Sequence, residues 1–338
     1  MAINDVHPPQ AAVAVAASAG GVEALSGFVS ALPEDFPAAL LVVLHIPPAG
    51  PSVLPSILTR AGKLAARHPN DGELLEDGVI MVAPPDKHMT VDDRSVRVMT
   101  GPRENGHRPA ADVLFRSVAE TFGESGAGVV LSGTMDDGAA GLRAIRTVGG
   151  LALVQDPKEA AFPGMPLAAI REGEPHFVGA VSLLAERVCA WLSELPAGRP
   201  RVGAATLANP GREEMADLTP LTCPECGGTL WHRHQYGAER YRCRVGHTFS
   251  ADGLMLGKQD ALEAALWAAI VALDERAEIS RRIAKRLEEN GRLGQLGRYR
   301  ADTRAAAERA DALRELTRDL VQGVNVSYDE GDIGNSAD

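Results

Sequence analysis

The feature that most constrains this chain is an alternation, across residues 11–195, between short apolar runs and segments with helical periodicity. A strand that is buried on both faces reads as a continuous apolar run, and such strands are typical of parallel sheets covered by helices. The pattern therefore predicts an α/β domain with a doubly wound, mainly parallel sheet and helices on both faces. The predicted strands are residues 12–17, 40–45, 79–83, 96–99, 128–131 and 151–155, and the predicted helices are residues 21–32, 110–122, 138–148 and 182–195.

The composition changes several times after residue 195, which indicates further domains. A stretch rich in Gly, Pro, Ala and charged residues has no period and is typical of a linker. A cysteine-rich stretch follows, and then a long region rich in Ala, Leu, Glu and Arg, with apolar residues three or four apart and an interruption at Gly291 and Gly294. We predict an α/β domain over 11–195, a linker over 196–220, a small zinc-ribbon-like module over 221–255, an α-helical hairpin over 256–325 and a disordered acidic tail over 326–338.

Charge and hydropathy disfavour several classes of partner. The net charge of −11 repels phosphate backbones and anionic lipid surfaces. No uninterrupted apolar run reaches the roughly 18 residues that a membrane helix needs. We therefore expect a cytoplasmic protein with no nucleic-acid partner and no direct membrane insertion. In that compartment the four cysteines are expected to be thiols or metal ligands rather than disulfides.

Chemically active side chains follow three of the predicted buried strands. Ser18 comes directly after the first strand, His45 ends the second, and Asp136 and Asp137 follow the strand at 128–131. The carboxyl ends of parallel strands meet at one edge of a sheet, which is where ligands of such folds bind. A serine nucleophile needs a histidine base, a carboxylate that orients it and N–H groups for the oxyanion. The alternatives are structural: Ser18 or either aspartate as a helix cap, and His45 as a hydrogen-bonded structural histidine.

With these residues in place, the chain resembles a known family, the CheB-type protein-glutamate methylesterases that act on chemotaxis receptors. The resemblance covers about residues 11–195, and five blocks occur in the family's order. The blocks are Ala16-Ala17-Ser18-Ala19-Gly20-Gly21, Leu44-His45-Ile46-Pro47, His107-Arg108-Pro109 leading into Asp112-Val113-Leu114-Phe115-Arg116-Ser117, Ser132-Gly133 leading to Asp137-Gly138-Ala139, and Gly164-Met165-Pro166.

The resemblance implies a role for individual residues of this chain. Ser18 is similar to the family's nucleophile, His45 to its general base and Asp137 to the carboxylate that orients the histidine. Asp136 is then a neighbour of the triad and not a member of it. A backbone amide at Thr134 matches one of the family's oxyanion donors, and a backbone donor tolerates the different side chain there.

The resemblance also implies a reaction and its partners. Family members hydrolyse glutamate γ-methyl esters on receptor helices without a catalytic cofactor, and some deamidate receptor glutamines. The implied partners are a methylated chemoreceptor or receptor-like signalling protein and a receptor methyltransferase. Two alternatives stay open: an amidase that uses the same residues on glutamine, and a non-enzymatic signalling adaptor that keeps the fold as a binding platform.

Three departures from the family's pattern bear on these alternatives. Ala16 replaces the usual Gly two residues before the serine, and Ala19 replaces a frequent Ser or Thr after it. A hydroxyl that assists the histidine is therefore missing, which is expected to slow the reaction without abolishing it. The first predicted strand begins at residue 12, so we expect neither the family's amino-terminal receiver domain nor control by phosphorylation in cis.

Basic residues near the predicted site suggest a surface for an acidic substrate. Arg108 and Arg116 are candidate substrate-binding residues, together with His107, because guanidinium groups bind carboxylates well. The alternative is pairing within the fold. Asp112 is predicted to be structural. The turn at Gly164-Met165-Pro166 is expected either to border the active site or to be held for packing.

The cysteine-rich stretch has the spacing of a metal site. Cys223 and Cys226 form one pair, and Cys243 with His247 forms a second one further along the chain. Three thiolates and one imidazole suit a tetrahedral structural Zn²⁺ with no open position, and such a metal stabilises a segment that has little core. We therefore predict one structural zinc ion, and the alternative is a set of buried free thiols.

The apolar stripe of the C-terminal helices allows two interpretations. It packs within its own hairpin, or it forms an interface with a receptor or with a second copy of the chain. A homodimer through these helices is thus one of the predicted partners.

Overall fold

The computed structural model describes residues 9–46, 52–93, 95–196 and 217–322, which contain thirteen strands and eight α-helices. The strands are β1 Ala12–Ala17, β2 Ala39–Leu44, β3 Ala65–Arg67, β4 Val79–Val82, β5 His88–Asp92, β6 Ser95–Met99, β7 Gly126–Val130, β8 Leu151–Gln155, β9 Phe177–Gly179, β10 Asp217–Thr222, β11 Thr229–Gln235, β12 Ala238–Cys243 and β13 Thr248–Phe249. The helices are α1 Gly21–Ser30, α2 Leu54–Ala61, α3 Ala111–Phe122, α4 Ala139–Thr147, α5 Gly164–Gly173, α6 Val181–Glu194, α7 Ala251–Glu289 and α8 Leu296–Gln322.

Seven strands form one sheet in the order β3-β4-β2-β1-β7-β8-β9, and every neighbouring pair is parallel. The chain builds the β2 side first and then crosses to the β7 side. β1 therefore lies at the point where the strand order reverses, which is where ligands of open α/β sheets bind. The predicted fold class is confirmed.

Helices cover both faces of this sheet because its strands are apolar on both sides. In β1 the side chains of residues 12, 14 and 16 pack in a core with α3, α4 and α5. The side chains of residues 11, 13, 15 and 17 pack in a second core with α1, α2 and α6. Gly128 in β7 permits a close approach of α4, since a Cβ there would lie 2.7 Å from Ile145 Cδ1.

Two local predictions are wrong. Residues 96–99 were expected in the main sheet, but β6 pairs with β5 in a separate antiparallel hairpin. Its side chains alternate between buried and more exposed, which is typical of a strand with one covered face. Gly164-Met165-Pro166 is not a free turn but the start of α5. Proline is tolerated there because the first turn of a helix needs no backbone N–H donor.

The four strands β10, β11, β12 and β13 form a separate antiparallel sheet, which we call the cysteine module and which spans residues 217–250. Its small core contains Cys223, Leu230, Cys243 and Phe249, and Leu254 at the start of α7 packs against them. Residues 217–220 of the predicted linker belong to β10, and the remainder of that linker lies largely outside the described residues. The chain divides into two compact units, residues up to Met255 and residues from Leu256.

The second unit contains most of α7 and all of α8, so the hairpin expected from the sequence is present. α7 has 39 residues, which is about 58 Å of helix. Arg276 and Ser280 on α7 both bind Asp302 on α8, and the helix contact is built around small side chains such as Ala306 and Ala310. None of the described helices combines the length and apolarity that crossing a membrane requires. The predicted tail at 326–338 lies outside the described residues.

Candidate active site

The three residues expected to form a catalytic triad follow three adjacent strands at the centre of the sheet. Ser18 comes directly after β1, His45 directly after β2, and Asp137 in the loop between β7 and α4. β2 and β7 are the two neighbours of β1. The parallel sheet therefore brings the three residues to one edge from positions far apart in the sequence.

His45 and Asp137 form a short, buried hydrogen bond. The distance from His45 Nε2 to Asp137 Oδ2 is 2.7 Å, and the Asp137 side chain is 1% exposed. The same carboxylate also accepts from the amides of Ala111 at 2.6 Å and Asp112 at 3.0 Å, at the start of α3. Burial opposes ionisation, but the His45 hydrogen bond, nearby imidazole charge and the Asp112 amide hold the pKa of Asp137 well below its usual range.

This contact leaves the other ring nitrogen of His45 available. His45 Nδ1 is buried and has no hydrogen-bond partner among the residues that the structure describes. Nε2–H donates to Asp137, so Nδ1 is the nitrogen with a lone pair for a proton. The roles of the two nitrogens are reversed relative to the serine-protease triad, in which Nε2 faces the serine. The geometry nevertheless provides both functions, an oriented ring and a free base.

The imidazole of His107 stacks on the His45 ring. The two ring centroids lie 3.9 Å apart and the planes differ by 6°. Burial, together with His45 and Arg103, lowers the pKa of His107 to about 4, although Asp137 opposes that change. His107 is therefore neutral at neutral pH, and it supports the face of the His45 ring without adding a second positive charge.

Hydrogen bonds with Ser132 fix the position of the turn that carries Ser18. The amide of Ser18 donates to the Ser132 carbonyl at 2.9 Å, while Ser132 Oγ donates to the Ala19 carbonyl at 2.8 Å. Ser132 Oγ also accepts from the amide of Phe162 at 3.0 Å. A Cβ at Gly133 would lie 2.9 Å from Ser18 Cβ and 2.1 Å from Met165 Sδ. Only glycine therefore allows this loop to approach the serine so closely.

Thr134 lies in the same loop, directly after Gly133, and its side chain is exposed. Its amide donates to no carbonyl in the part of the chain that the structure describes. The next residue, Met135, has a φ of 67°, a left-handed conformation that is uncommon for a residue with a side chain. The loop thus turns sharply beside Ser18 and leaves the Thr134 amide without a backbone acceptor among the described residues.

The two neighbouring aspartates have different surroundings. Asp137 contacts His45, whereas Asp136 is hydrogen-bonded with Ser250 of the cysteine module. Burial raises the pKa of Asp136 to about 6, and the hydrogen bond with Ser250 opposes that rise. Asp136 is 3% exposed and is not placed to orient the histidine. The structure thus brings Asp137, and not Asp136, to the imidazole.

Both candidate substrate-binding arginines have acidic partners within the chain. Arg116 forms a bidentate pair with Glu104, with N–O distances of 2.7 and 2.6 Å, and its side chain is 16% exposed. Arg108 donates to Asp86 and to the Gly101 carbonyl. This is the alternative of pairing within the fold, and we give neither arginine a part in the proposed mechanism.

The four predicted metal ligands are brought together in the cysteine module. Cys223 Sγ and Cys243 Sγ each lie 3.6 Å from His247 Nδ1, and Cys226 Sγ lies 3.7 Å from Cys243 Sγ. Zinc bonds of about 2.3 Å to sulfur and 2.0–2.1 Å to nitrogen give tetrahedron edges of about 3.8 Å between sulfurs and about 3.6 Å from sulfur to nitrogen. The donor set and its spacing therefore fit a tetrahedral zinc site.

Several residues that hold the site were not found from the sequence. Gln155 ends β8, is 4% exposed and accepts from the Ser132 amide at 2.8 Å. Glu104 is buried beside Arg116. A polar residue at the end of a buried strand is a usable signal for Gln155. The pairing of Glu104 had no such signal, because it lies in a loop.

Comparison with known proteins gives consistent matches to the first half of the chain. The family described as CheB methylesterase matches residues 13–188. The protein-glutamate methylesterase/protein-glutamine glutaminase 3 of Anaeromyxobacter dehalogenans is 42% identical over 182 residues, which cover 53% of each protein. The protein-glutamate methylesterase/protein-glutamine glutaminase of Pyrococcus horikoshii is 36% identical over 185 residues, which cover 54% of this chain and 50% of the relative. The chain thus spans about half the length of the curated relatives it matches.

A solved structure shows the same fold. The crystal structure of the Thermotoga maritima CheB methylesterase catalytic domain is 28% identical to this chain, with a TM-score of 0.51. The match covers 53% of this chain and 97% of that domain. The family match takes in just over half of the chain and includes the strands that present Ser18, His45 and Asp137. The chain therefore belongs to the CheB methylesterase family.

Proposed function

We propose that this protein is a protein-glutamate methylesterase that removes methyl groups from glutamate γ-methyl esters of chemotaxis-type receptors. The observation that carries the proposal is the buried His45–Asp137 hydrogen bond of 2.7 Å, at the end of the strand beside Ser18, with no partner for His45 Nδ1 among the described residues. The relatives' names support both ester hydrolysis and glutamine hydrolysis. No comparison favours the alternative of a non-enzymatic adaptor.

In the proposed reaction, Ser18 Oγ attacks the ester carbonyl while His45 Nδ1 takes the hydroxyl proton. The Thr134 amide donates to the oxyanion, and Asp137 stabilises the charged imidazolium. The tetrahedral intermediate expels methanol, which receives its proton from His45. Water, deprotonated by His45, then attacks the acyl-serine, and the proton returns to Ser18 as the glutamate is released. A glutamine substrate follows the same steps with ammonia as the first product.

The test is release of methanol and ammonia from methylated chemoreceptor membranes. We expect wild type to release methanol and Ser18→Ala to lose the activity by about four orders of magnitude or more. Ser30→Ala is the matched control, because Ser30 lies on α1 and its exposed hydroxyl donates to the Gly27 carbonyl of the same helix. Wild type that releases neither product, or Ser18→Ala that matches it, would refute the proposal.

The proposal includes a structural Zn²⁺ held by Cys223, Cys226, Cys243 and His247. The spacing of the four donor atoms supports this assignment. The small core of the module also supports it, because a segment with little core gains stability from a bound metal. Zinc there stabilises the fold and supplies no catalytic chemistry, since all four positions are taken by protein atoms.

The proposed partners are a methylated receptor and the methyltransferase that adds the groups this enzyme removes, in the cytoplasm. A homodimer through α7 and α8 is a further proposal. Trp267, Val271 and Ile279 on α7 are about half-exposed, whereas the contact between the two helices is built mainly around alanine. Light scattering on the purified full-length chain measures this directly, and a monomer at all concentrations would exclude the homodimer.

A further inference from the structure

A buried arginine of the cysteine module reaches the surroundings of the proposed triad. Arg240, on β12, is 3% exposed, although arginine is among the residues least often fully buried. Its Nη2 lies 3.1 Å from Oδ2 of Asp112, which is fully buried at the start of α3. Arg240 Nη1 donates to the carbonyl of Glu239 at 2.9 Å. The guanidinium is thus held between its own strand and the catalytic domain.

Asp137 binds the start of α3, which carries Asp112, and Asp112 binds the start of α4, which follows Asp137. Asp112 Oδ1 accepts from the amide of Gly138 at 3.0 Å and of Gly141 at 2.6 Å, at the start of α4. Asp137 accepts from the amides of Ala111 and Asp112, at the start of α3. The residue after Asp137 is therefore hydrogen-bonded to Asp112. The position of Asp112 fixes the turn that aims Asp137 at His45.

The charge of Asp112 depends on its partners. Burial raises the pKa of Asp112 to about 7, and Arg240 opposes that rise. The other charged groups near it are Asp137 and Glu104, which raise the pKa further, and Arg116, which lowers it. Without Arg240, Asp112 takes up a proton at neutral pH or stays as an uncompensated charge beside Asp137. A proton on Oδ1 of Asp112 removes the acceptor of the Gly138 and Gly141 amides, and an uncompensated charge repels Asp137, so both outcomes disturb the start of α4.

A second contact joins the cysteine module to the loop that carries His107. The amide of Asn105 donates to the Thr248 carbonyl at 2.8 Å, and the amide of Ser250 donates to Asn105 Oδ1 at 2.8 Å. His107 lies two residues further along this loop and stacks on His45. The cysteine module therefore contacts Asp112, which binds the turn of Asp137, and Asn105, which lies in the loop that carries His107.

We propose that the cysteine module is a positioning element of the catalytic site, in which Arg240 pairs with Asp112 and so fixes the turn that carries Asp137. The proposal rests on the proposed function, since it assigns a role in that same site. Arg240 is a positioning residue because it acts through Asp112 and does not touch the reacting atoms. The module is then required for the active geometry and is more than an attached docking domain.

The test compares full-length variants in the hydrolysis of p-nitrophenyl acetate across pH. Arg240→Met removes the charge and keeps an aliphatic side chain. Arg242→Met is the matched control, because Arg242 lies on the same strand and is exposed. Loss of an ion-pair partner raises a carboxyl pKa by about 1–3 units. We therefore expect the pH at which kcat falls on the acid side to be higher by that amount in Arg240→Met, because Asp112 has lost its partner. Each unit lowers kcat about tenfold on that limb.

A rescue variant separates positioning from simple packing. Asp112→Asn in the Arg240→Met background leaves an amide oxygen to accept from Gly138 and Gly141 but no charge to compensate. We expect this double variant to recover the wild-type acid limb. A loss of kcat in Arg240→Met that is equal at every pH, without recovery in the double variant, would overturn the proposal.

A readout without turnover separates this proposal from the proposed function. The His45 N–H proton bonded to Asp137 is expected at low field in the NMR spectrum of wild type and Arg242→Met, and shifted or lost in Arg240→Met. Unchanged resonance and unchanged pH profile in Arg240→Met would refute the positioning role. Wild type that is no faster than Ser18→Ala on the ester would refute the proposed function, and the resonance would still decide the role of Arg240.

Discussion

The stacked histidine pair makes a quantitative prediction about acid stability. The pKa of His107 is lowered from 6.5 to about 4 by burial and by its neighbours His45 and Arg103. The unfolded chain therefore takes up a proton at His107 near pH 6.5, whereas the folded chain does so only near pH 4. Protonation in this window favours the unfolded state, so stability that is complete above pH 6.5 is lost as the pH falls towards 4.

The magnitude follows from the size of this change. One unit of pKa corresponds to about 1.36 kcal/mol, so the difference between 6.5 and about 4 corresponds to about 3.4 kcal/mol of unfolding free energy. Replacing His107 by Asn removes the titrating group and keeps a polar side chain of similar reach. The variant is expected to be less stable than wild type at neutral pH, because it loses the stacking contact with His45.

The assay is urea unfolding of both proteins at several pH values between 7.5 and 4, followed by circular dichroism. Asp112 and Asp136, whose pKa values are raised, contribute with the opposite sign, but they do so in both proteins. The difference in unfolding free energy between wild type and His107→Asn therefore isolates His107. We expect this difference to fall by about 3 kcal/mol across the window. Parallel curves for the two proteins would show that the reasoning about His107 is wrong.

Two further predictions concern residues outside the triad. Native mass spectrometry is expected to find about one zinc per chain. We expect Cys226→Ser to lose the metal and to have a lower melting temperature, whereas Cys189→Ser keeps both. Full zinc content in Cys226→Ser would refute the proposed zinc site. Arg116→Met leaves Glu104 buried without its bidentate partner and is expected to cost about 3–5 kcal/mol. Adding Glu104→Gln should recover most of that loss in urea unfolding, and a cost near zero for the single change would contradict the buried pair.

The central sheet was predictable because its signal is local. β1 and β8 have the predicted bounds, and each is a short apolar run between polar or glycine residues. β3 and β9 were missed, since three residues with mixed burial do not form a recognisable run. They join the sheet by pairing with neighbours already in place, which is a tertiary effect.

The candidate site was predictable to the extent that it depends on strand ends. Ser18 and His45 follow apolar runs, and the resemblance to a family selected Asp137 over Asp136. The supporting contacts were not predictable, because they join residues far apart in the sequence. Arg240 and Asp112 are 128 positions apart, and no periodicity or spacing connects them. The arginines expected to face substrate were instead used within the fold, since Glu104 and Asp86 lie beside them.

Asp112 and Asp137 each accept hydrogen bonds from amides at the start of a helix, and this affects what can be learned from comparing genes of this kind. Replacing Asp137 removes the acceptor for two amides of α3 as well as the partner of His45, so selection for folding alone preserves it. No hydrogen bond from the Ser18 hydroxyl is found within the described residues, and its loss carries no comparable penalty. In a gene copy released from selection for hydrolysis, we expect the serine to drift first and the aspartate to persist. Retention of the aspartate therefore indicates selection for folding, and retention of the serine indicates continued selection for hydrolysis.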